Sequence, residues 1–318
     1  MSALFDAIEA STQLTDNSKE SYKTAFNIIQ KRTGNVPLDE VILGHKKYIS
    51  QFRTLFTNPT TLKTIVTFIL TVFRHNPAFK EKNEKAYDAW RKVFDDAKAK
   101  VEERYESNKP TSKQVKGFVC YTDIVAMRDS LPPGSLERLL IGMYTHIPPM
   151  RCEYARIAIY RKVVPKDADE PNYIHIRGKK ADLILQRFKT DKHHKPFDIE
   201  LPKPLVDDLL KSLADQPRDW LFVNSRGEPY THMLYSHWTI RAFTKLFQRP
   251  LTVALIRHSY INELDFNALS IKERNDIAAS MAHTRYTQER YKLIFDKKDP
   301  AYTKMCTSES NEDAQKGI

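Results

Sequence analysis

Four separated stretches carry residues suited to contact with phosphate. In HIPPMRCEYARI, Arg151 follows a Pro-Pro pair that fixes the chain. A guanidinium held that way suits bidentate contact with phosphate oxygens. In LQRFKTDKHHKPFDI, Lys189 ends a strand-like segment, and Lys192, His193, His194 and Lys195 make the following turn basic. In VALIRHSYINEL, Arg257 and His258 interrupt an apolar helical face beside Leu255, Ile256 and Tyr260. A charge in such surroundings needs a partner or a cleft. In SMAHTRYTQERY, His283 is followed by Tyr286 and Tyr291, close to a polar tail.

Each stretch also has a plainer reading. Arg151 suits a surface or salt-bridged arginine, the basic turn a solvated hairpin tip, and Arg257 a structural ion pair. His193-His194 without a third ligand nearby is a poor metal site, so DNA contact is preferred there to metal. The net charge of +11 over 318 residues favours a polyanionic partner, with nucleic acid first, because Lys and Arg release counterions from phosphates. An inert basic surface has the same composition.

Other classes fall away. Cys120, Cys152 and Cys306 are odd in number and far apart, without zinc or disulfide-framework spacing, which points to a reducing compartment. The longest apolar run, IVTFILTVF, is under half of the roughly 20 residues that span a bilayer. The start, MSALFDAIEA, has acids where a signal peptide has bases. A nuclear or cytoplasmic protein with no membrane association is expected.

The elements that must position these residues form two domains. Residues 1–106 have helical periodicity: Tyr22, Phe26 and Ile29 share a face that Gly34 ends, Asn58-Pro59-Thr60 opens a second helix, and a third runs from about Lys82 to Glu106. Thr60, Thr64, Thr67 and Thr71 form a polar stripe opposite Leu62, Ile65, Ile69 and Val72. With Lys63, the first three of those threonines are candidates for DNA contact. SNKPTSKQVKG, residues 107–117, reads as a linker. From 118 to 295 the pattern is α+β: strands at 155–163, 173–188 and 196–202, helices around them, and a capping box at Ser270 and Glu273. The expected fold is mostly α, with a small antiparallel sheet in the second domain and a polar tail over 296–318. The residues alone stop at a basic, two-domain, DNA-binding protein.

Taken in order, PPMRCEY, FKT, LIRHSY and MAHTRYTQERY resemble the catalytic signature of the tyrosine recombinase (lambda integrase) family. The variant is most similar to integrase-like members of large DNA viruses and mobile elements, with their PP-x-R box, KT hairpin and M-x-H-x4-Q-x2-Y ending. The resemblance implies a helical core-binding domain and a catalytic domain that close on duplex DNA as a C-shaped clamp. It makes Arg151 and Arg257 the clamp on the nonbridging phosphate oxygens, and Lys189 the general acid for the 5′-hydroxyl leaving group. His283 becomes a donor to a phosphate oxygen or an aid to deprotonation, and Tyr291 the nucleophile that forms a 3′-phosphotyrosyl link. His258 and Glu153 are auxiliary candidates, and Lys192 and Lys195 DNA contacts. No cofactor and no metal is implied. The partner is double-stranded DNA, with a homotetramer on paired sites and a monomer or dimer free in solution.

Two departures stand out. Much of the family has a second histidine three residues before the second arginine, where this chain has Ala254. His283 and Tyr291 stand eight apart, where many relatives have nine. Tyr286 competes as nucleophile, but its place just past the helix end suits packing on the core. Two other readings fit the set: a type IB topoisomerase-like enzyme that relaxes DNA, and a DNA-binding relative whose chemistry Ala254 has weakened.

Overall fold

The computed structural model describes residues 3–165 and 168–295; the tail expected at 296–318 lies outside them, as does Cys306. The chain divides into two compact units, Met1–Ser107 and Asn108–Ile318. Among the described residues, no helix is long and apolar enough to cross a membrane.

The first unit is built from helices α1 (Ala3–Glu9), α2 (Asp16–Thr33), α3 (Leu38–Leu43), α4 (His45–Leu55), α5 (Pro59–His75), α6 (Pro77–Lys82) and α7 (Glu84–Glu106). Local chemistry sets their ends. Thr15 caps α2, and Gly34 stops it at φ 74°, a left-handed conformation that glycine adopts without a Cβ penalty. Asn58 accepts from the Thr60 N–H and Pro59 opens α5. Aromatic side chains fill the core: Phe5, Phe52, Phe68, Phe73 and Trp90 are fully buried, and the Trp90 indole donates to Ile42 O at 3.0 Å.

The second unit starts with a correction. Residues expected to be linker include a helix, α8 (Ser112–Gly117), opened by a capping box in which Thr111 and Gln114 satisfy each other's backbone N–H. The T-x-x-Q signal outweighs the loop-like composition. Gly117 ends α8 where a Cβ would stand 2.6 Å from Pro250 O and 2.7 Å from Leu255 Cδ1, so the segment lies flush against the fold. Then follow α9 (Tyr121–Ser130), α10 (Leu136–Thr145), the strands β1 (Ala158–Arg161), β2 (Asn172–Arg177), β3 (Lys180–Leu185) and β4 (Phe197–Glu200), and α11 (Lys203–Asp215). The unit continues with α12 (His232–Phe247), α13 (Val253–Glu263), α14 (Ile271–Ser280) and α15 (Arg285–Glu289).

The sheet is mixed rather than antiparallel. β2 pairs antiparallel with β3, and β3 with β4, but β1 runs parallel to β2 with Ala158 beside Tyr173 and Arg161 beside Ile176. A parallel pair needs a crossover connection, which a tight hairpin turn would not supply. On its other edge β1 is covered by a bridge between Ala158 and Trp220.

Cys152 is buried, with a free thiol.

Candidate active site

The site is assembled around α13. Thr252 caps this helix, and its register turns Arg257 inward until no part of the residue reaches solvent. Burying a guanidinium is costly unless its N–H groups find acceptors. They do: Nη1 donates to Pro149 O at 2.5 Å, and Nη2 donates to Met281 O at 3.2 Å and to His283 Nδ1 at 2.8 Å. The Pro-Pro segment thus supplies a fixed acceptor as well as holding Arg151. Only Nε of Arg257 is buried without a partner among the described residues.

Those bonds fix the state of His283, which is 4% exposed. A guanidinium can only donate, so Nδ1 is the bare nitrogen and Nε2 carries the proton. Burial, then the positive charge of Arg257 and Arg151, then His194, pushes its pKa down to about 3. Near neutral pH His283 is a neutral donor, and its Nε2 is buried without a partner among the described residues.

Tyr291 follows α15, a short helix capped by Thr284. Its ring stacks on His283 at 5.4 Å between centroids, lies 4.7 Å from the His258 ring, and has the Arg257 guanidinium 4.9 Å from its centre. Burial raises the phenol pKa, but the charge and hydrogen bonding of Arg257, joined by those of Arg151, outweigh it and leave the pKa below the ordinary tyrosine value. The phenol is therefore easier to ionise than that of a free tyrosine.

The backbone between α14 and α15 is a hub. Ala282 has φ 53°, and the His283 N–H closes back on Ala278 O at 3.1 Å, the arrangement of a helix end that glycine usually occupies. The Ala282 carbonyl accepts from Arg151 Nη1 at 3.4 Å and from Thr190 Oγ1 at 3.0 Å. Thr190 thus ties the β3–β4 turn to the hub. Lys189, its neighbour, is exposed, as are Lys192 and Lys195. Behind Arg151, the Tyr144 hydroxyl donates to the Arg151 carbonyl at 3.0 Å and lies 3.2 Å from the Tyr235 hydroxyl.

The fold thus brings Arg151, Arg257, His283 and Tyr291 together, with Lys189 on the turn that Thr190 anchors. Glu153 is buried behind them, in a short 3-10 turn, and its charge acts on Arg257. His258 touches Tyr291 both ring to ring and at the main chain, where its Nδ1 is 2.6 Å from Tyr291 O. Ala254 is exposed at the start of α13. Tyr286 is no core residue, being 60% exposed and hydrogen-bonded to Arg290, because α15 turns it outward. Sequence reasoning missed Thr190, Ala282 and Tyr144; the KT pair was the available signal for the first, and nothing local marked the others.

In the first unit, Thr64 is exposed, and Thr64 and Thr67 donate to the carbonyls of Thr60 and Lys63 at 2.9 and 2.7 Å. The Thr60 hydroxyl oxygen is itself buried, and Lys63 is half-buried. The stripe is largely turned onto its own helix.

No protein-family model matches the sequence, and neither does any curated protein. Solved structures do match. A crystal structure of XerA recombinase aligns over 99% of this chain and 97% of that one at 12% identity, with a TM-score of 0.40. A lambda integrase dimer bound to a COC′ core site aligns over 94% of this chain and 79% of that one at 14% identity, with a TM-score of 0.57. Both are tyrosine recombinases, and the mostly helical architecture with its small four-stranded sheet agrees with the second. This chain has the lambda integrase fold.

Proposed function

We propose that this protein is a site-specific DNA recombinase of the integrase type, which cleaves and rejoins strands through a 3′-phosphotyrosyl intermediate on Tyr291. One observation carries the reading: a buried tyrosine whose phenol two arginines move toward phenolate, beside a neutral histidine with a free N–H. A structural tyrosine gains nothing from that environment. A nucleophile gains the charge it needs.

In this mechanism Arg151 and Arg257 face the scissile phosphate, where negative charge grows on the nonbridging oxygens as the phosphorane-like transition state forms. The Tyr291 oxygen attacks phosphorus in line, the bond to the 5′-oxygen breaks, and Lys189 gives that oxygen a proton. Because Nδ1 of His283 is engaged by Arg257 and its pKa is low, His283 serves as a donor to a phosphate oxygen; it does not take the phenol proton. That proton leaves to solvent, at a cost lowered by the arginines. The phosphotyrosyl bond keeps the energy of the broken strand, so a 5′-hydroxyl attacks it in reverse without ATP. Duplex DNA is the substrate. Lys63, Thr64, Lys192 and Lys195 hold its backbone, and a homotetramer assembles on paired sites.

A nicked suicide duplex carrying the cognate site tests the reading. A covalent protein–DNA adduct that Tyr291→Phe abolishes supports it; no adduct on cognate DNA, or one that survives the substitution, overturns it. Processive relaxation of supercoiled plasmid at arbitrary sequence, without recombinant product from paired sites, would assign the same chemistry to a type IB topoisomerase.

A further inference from the structure

The Tyr291 main chain is held from an unexpected direction. Gln114, on α8 just past the boundary between the two units, places its Nε2 3.3 Å from His258 Nε2, and His258 Nδ1 lies 2.6 Å from Tyr291 O. The polarity of this chain can be read from its far end. Gln114 Oε1 accepts from the Thr111 N–H at 2.8 Å and from the Thr111 hydroxyl at 3.0 Å, so the oxygen is committed to the capping box. The amide NH2 therefore faces His258, whose Nε2 must accept, which leaves the proton on Nδ1 to be donated to the Tyr291 carbonyl. A flipped amide or the other tautomer would set two acceptors or two donors against each other.

We propose that Gln114 is a positioning residue: it selects the His258 tautomer that clamps the Tyr291 carbonyl, and so fixes where the nucleophile sits. This rests on the reading of Tyr291 as nucleophile. Neighbouring contacts converge on the same function. Ile294 N donates to Asn108 O at 2.9 Å, Phe118 and Phe295 meet at 4.5 Å, and Asn262 binds both the N–H and the carbonyl of Leu293. The chain on either side of Gln114 is thus zipped to the chain that follows Tyr291. Gln114 is the member of this zipper that reaches Tyr291 through His258. Ala254 leaves no histidine one turn before Arg257, so His258 is the only histidine of α13, and its protons are committed to this tether.

Two variants separate positioning from folding. Gln114→Met removes the amide and weakens the cap on α8, whereas Gln114→Glu keeps the cap and the size but turns an acceptor toward His258. On saturating suicide duplex, Gln114→Met is expected to slow single-turnover adduct formation about tenfold, with the Kd for uncleaved duplex within about twofold. Gln114→Glu holds the clamp only while His258 is an imidazolium, which donates from both nitrogens. Arg257 opposes that charge and the new carboxylate favours it, and the Tyr291 carbonyl accepts from it. The ratio of the Gln114→Glu rate to the wild-type rate should therefore fall as pH rises. Nitrogen NMR of His258 reads the tether without any reaction: Nδ1 protonated and Nε2 bare in the wild type, and that single tautomer lost in Gln114→Met. Unchanged rates with a flat ratio, a parallel loss of DNA affinity, or an Nε2–H tautomer in the wild type overturns the proposal. If wild-type protein forms no Tyr291 adduct, the recombinase reading fails, and the tautomer still decides whether the tether exists.

Discussion

The two units bury different things. Among the described residues, the first unit fully buries aromatic and aliphatic side chains and one polar one, Thr71, whose hydroxyl donates to its own helix. The second buries Arg128, Glu153, Asp182, Asp208, Arg257, His283 and Gln288. The helix ends differ as well. Gly34 supplies the left-handed turn after α2, whereas Ala282 is forced into the same region after α14. A core of helices needs neither buried charge nor strained alanine, and both cost stability. Arg128, Asp182 and Asp208 are each paired with a neighbouring group elsewhere in the unit, whereas Arg257 and His283 lie against Tyr291 and Ala282 immediately precedes His283.

Removing the buried arginine should give the largest effect. Arg257→Ala is expected to lower single-turnover cleavage by ~10³-fold, in the range that loss of a charge-stabilising donor produces. It also leaves Pro149 O and Met281 O without their donor, so the melting temperature should fall. Trp90→Ala, the matched lesion in the first unit, is expected to cost about 3–5 kcal/mol through its cavity, without changing the pH dependence of cleavage. If both variants lose only stability, the contrast between the units is wrong.

Lys189→Ala should slow cleavage by about 10²–10⁴-fold, the usual worth of a general acid. A substrate with sulfur at the 5′-bridging position separates this from loss of binding, since a thiolate leaves without a proton. Rescue by sulfur in Lys189→Ala but not in Arg257→Ala is the expected result, read by adduct formation.

His283 gives a prediction in stability against pH. Its folded pKa of about 3 lies below the ordinary histidine value of 6.5, and His258 is shifted the same way by burial. Below the unfolded pKa the unfolded chain binds more protons than the folded one, so stability present above about pH 6.5 declines as the pH falls toward 3. Urea unfolding at stepped pH should show this slope, and His283→Asn should reduce it.

The smallest effect expected is at the hub. Ala282→Gly relieves a left-handed alanine and should stabilise the protein by ~1 kcal/mol. If the extra freedom also loosens Arg151 and Thr190, the cleavage rate will fall while the melting temperature rises.

How much of this was legible differs between the units for the same reason. Amphipathic periodicity and caps such as Asn58 or Ser270 are local, and they marked the helices well. The candidate cluster was legible through the resemblance carried by Arg151, Lys189, Arg257, His283 and Tyr291 taken in order, since the residue types alone stopped at a basic DNA-binding protein. What was missed depends on long-range pairing. The parallel placement of β1 lies in its pairing with β2, which neither strand announces locally, and the roles of Thr190 and Ala282 arise from a hydrogen bond between residues far apart in sequence. Tyr286 was assigned to the core because aromatics usually pack; the turn of α15 decided otherwise. In α8 the local signal was present, but Ser, Pro and Lys around it suggested a linker.

On the proposed mechanism, the environment built by Arg151, Arg257 and His283 makes Tyr291, and not the exposed Tyr286, the nucleophile. Proteolysis of the adduct trapped on suicide DNA, followed by mass spectrometry of the nucleotide-bearing peptide, tests it most directly. The 3′-phosphate is expected on Tyr291. Its appearance on Tyr286, or on any other residue, would contradict it.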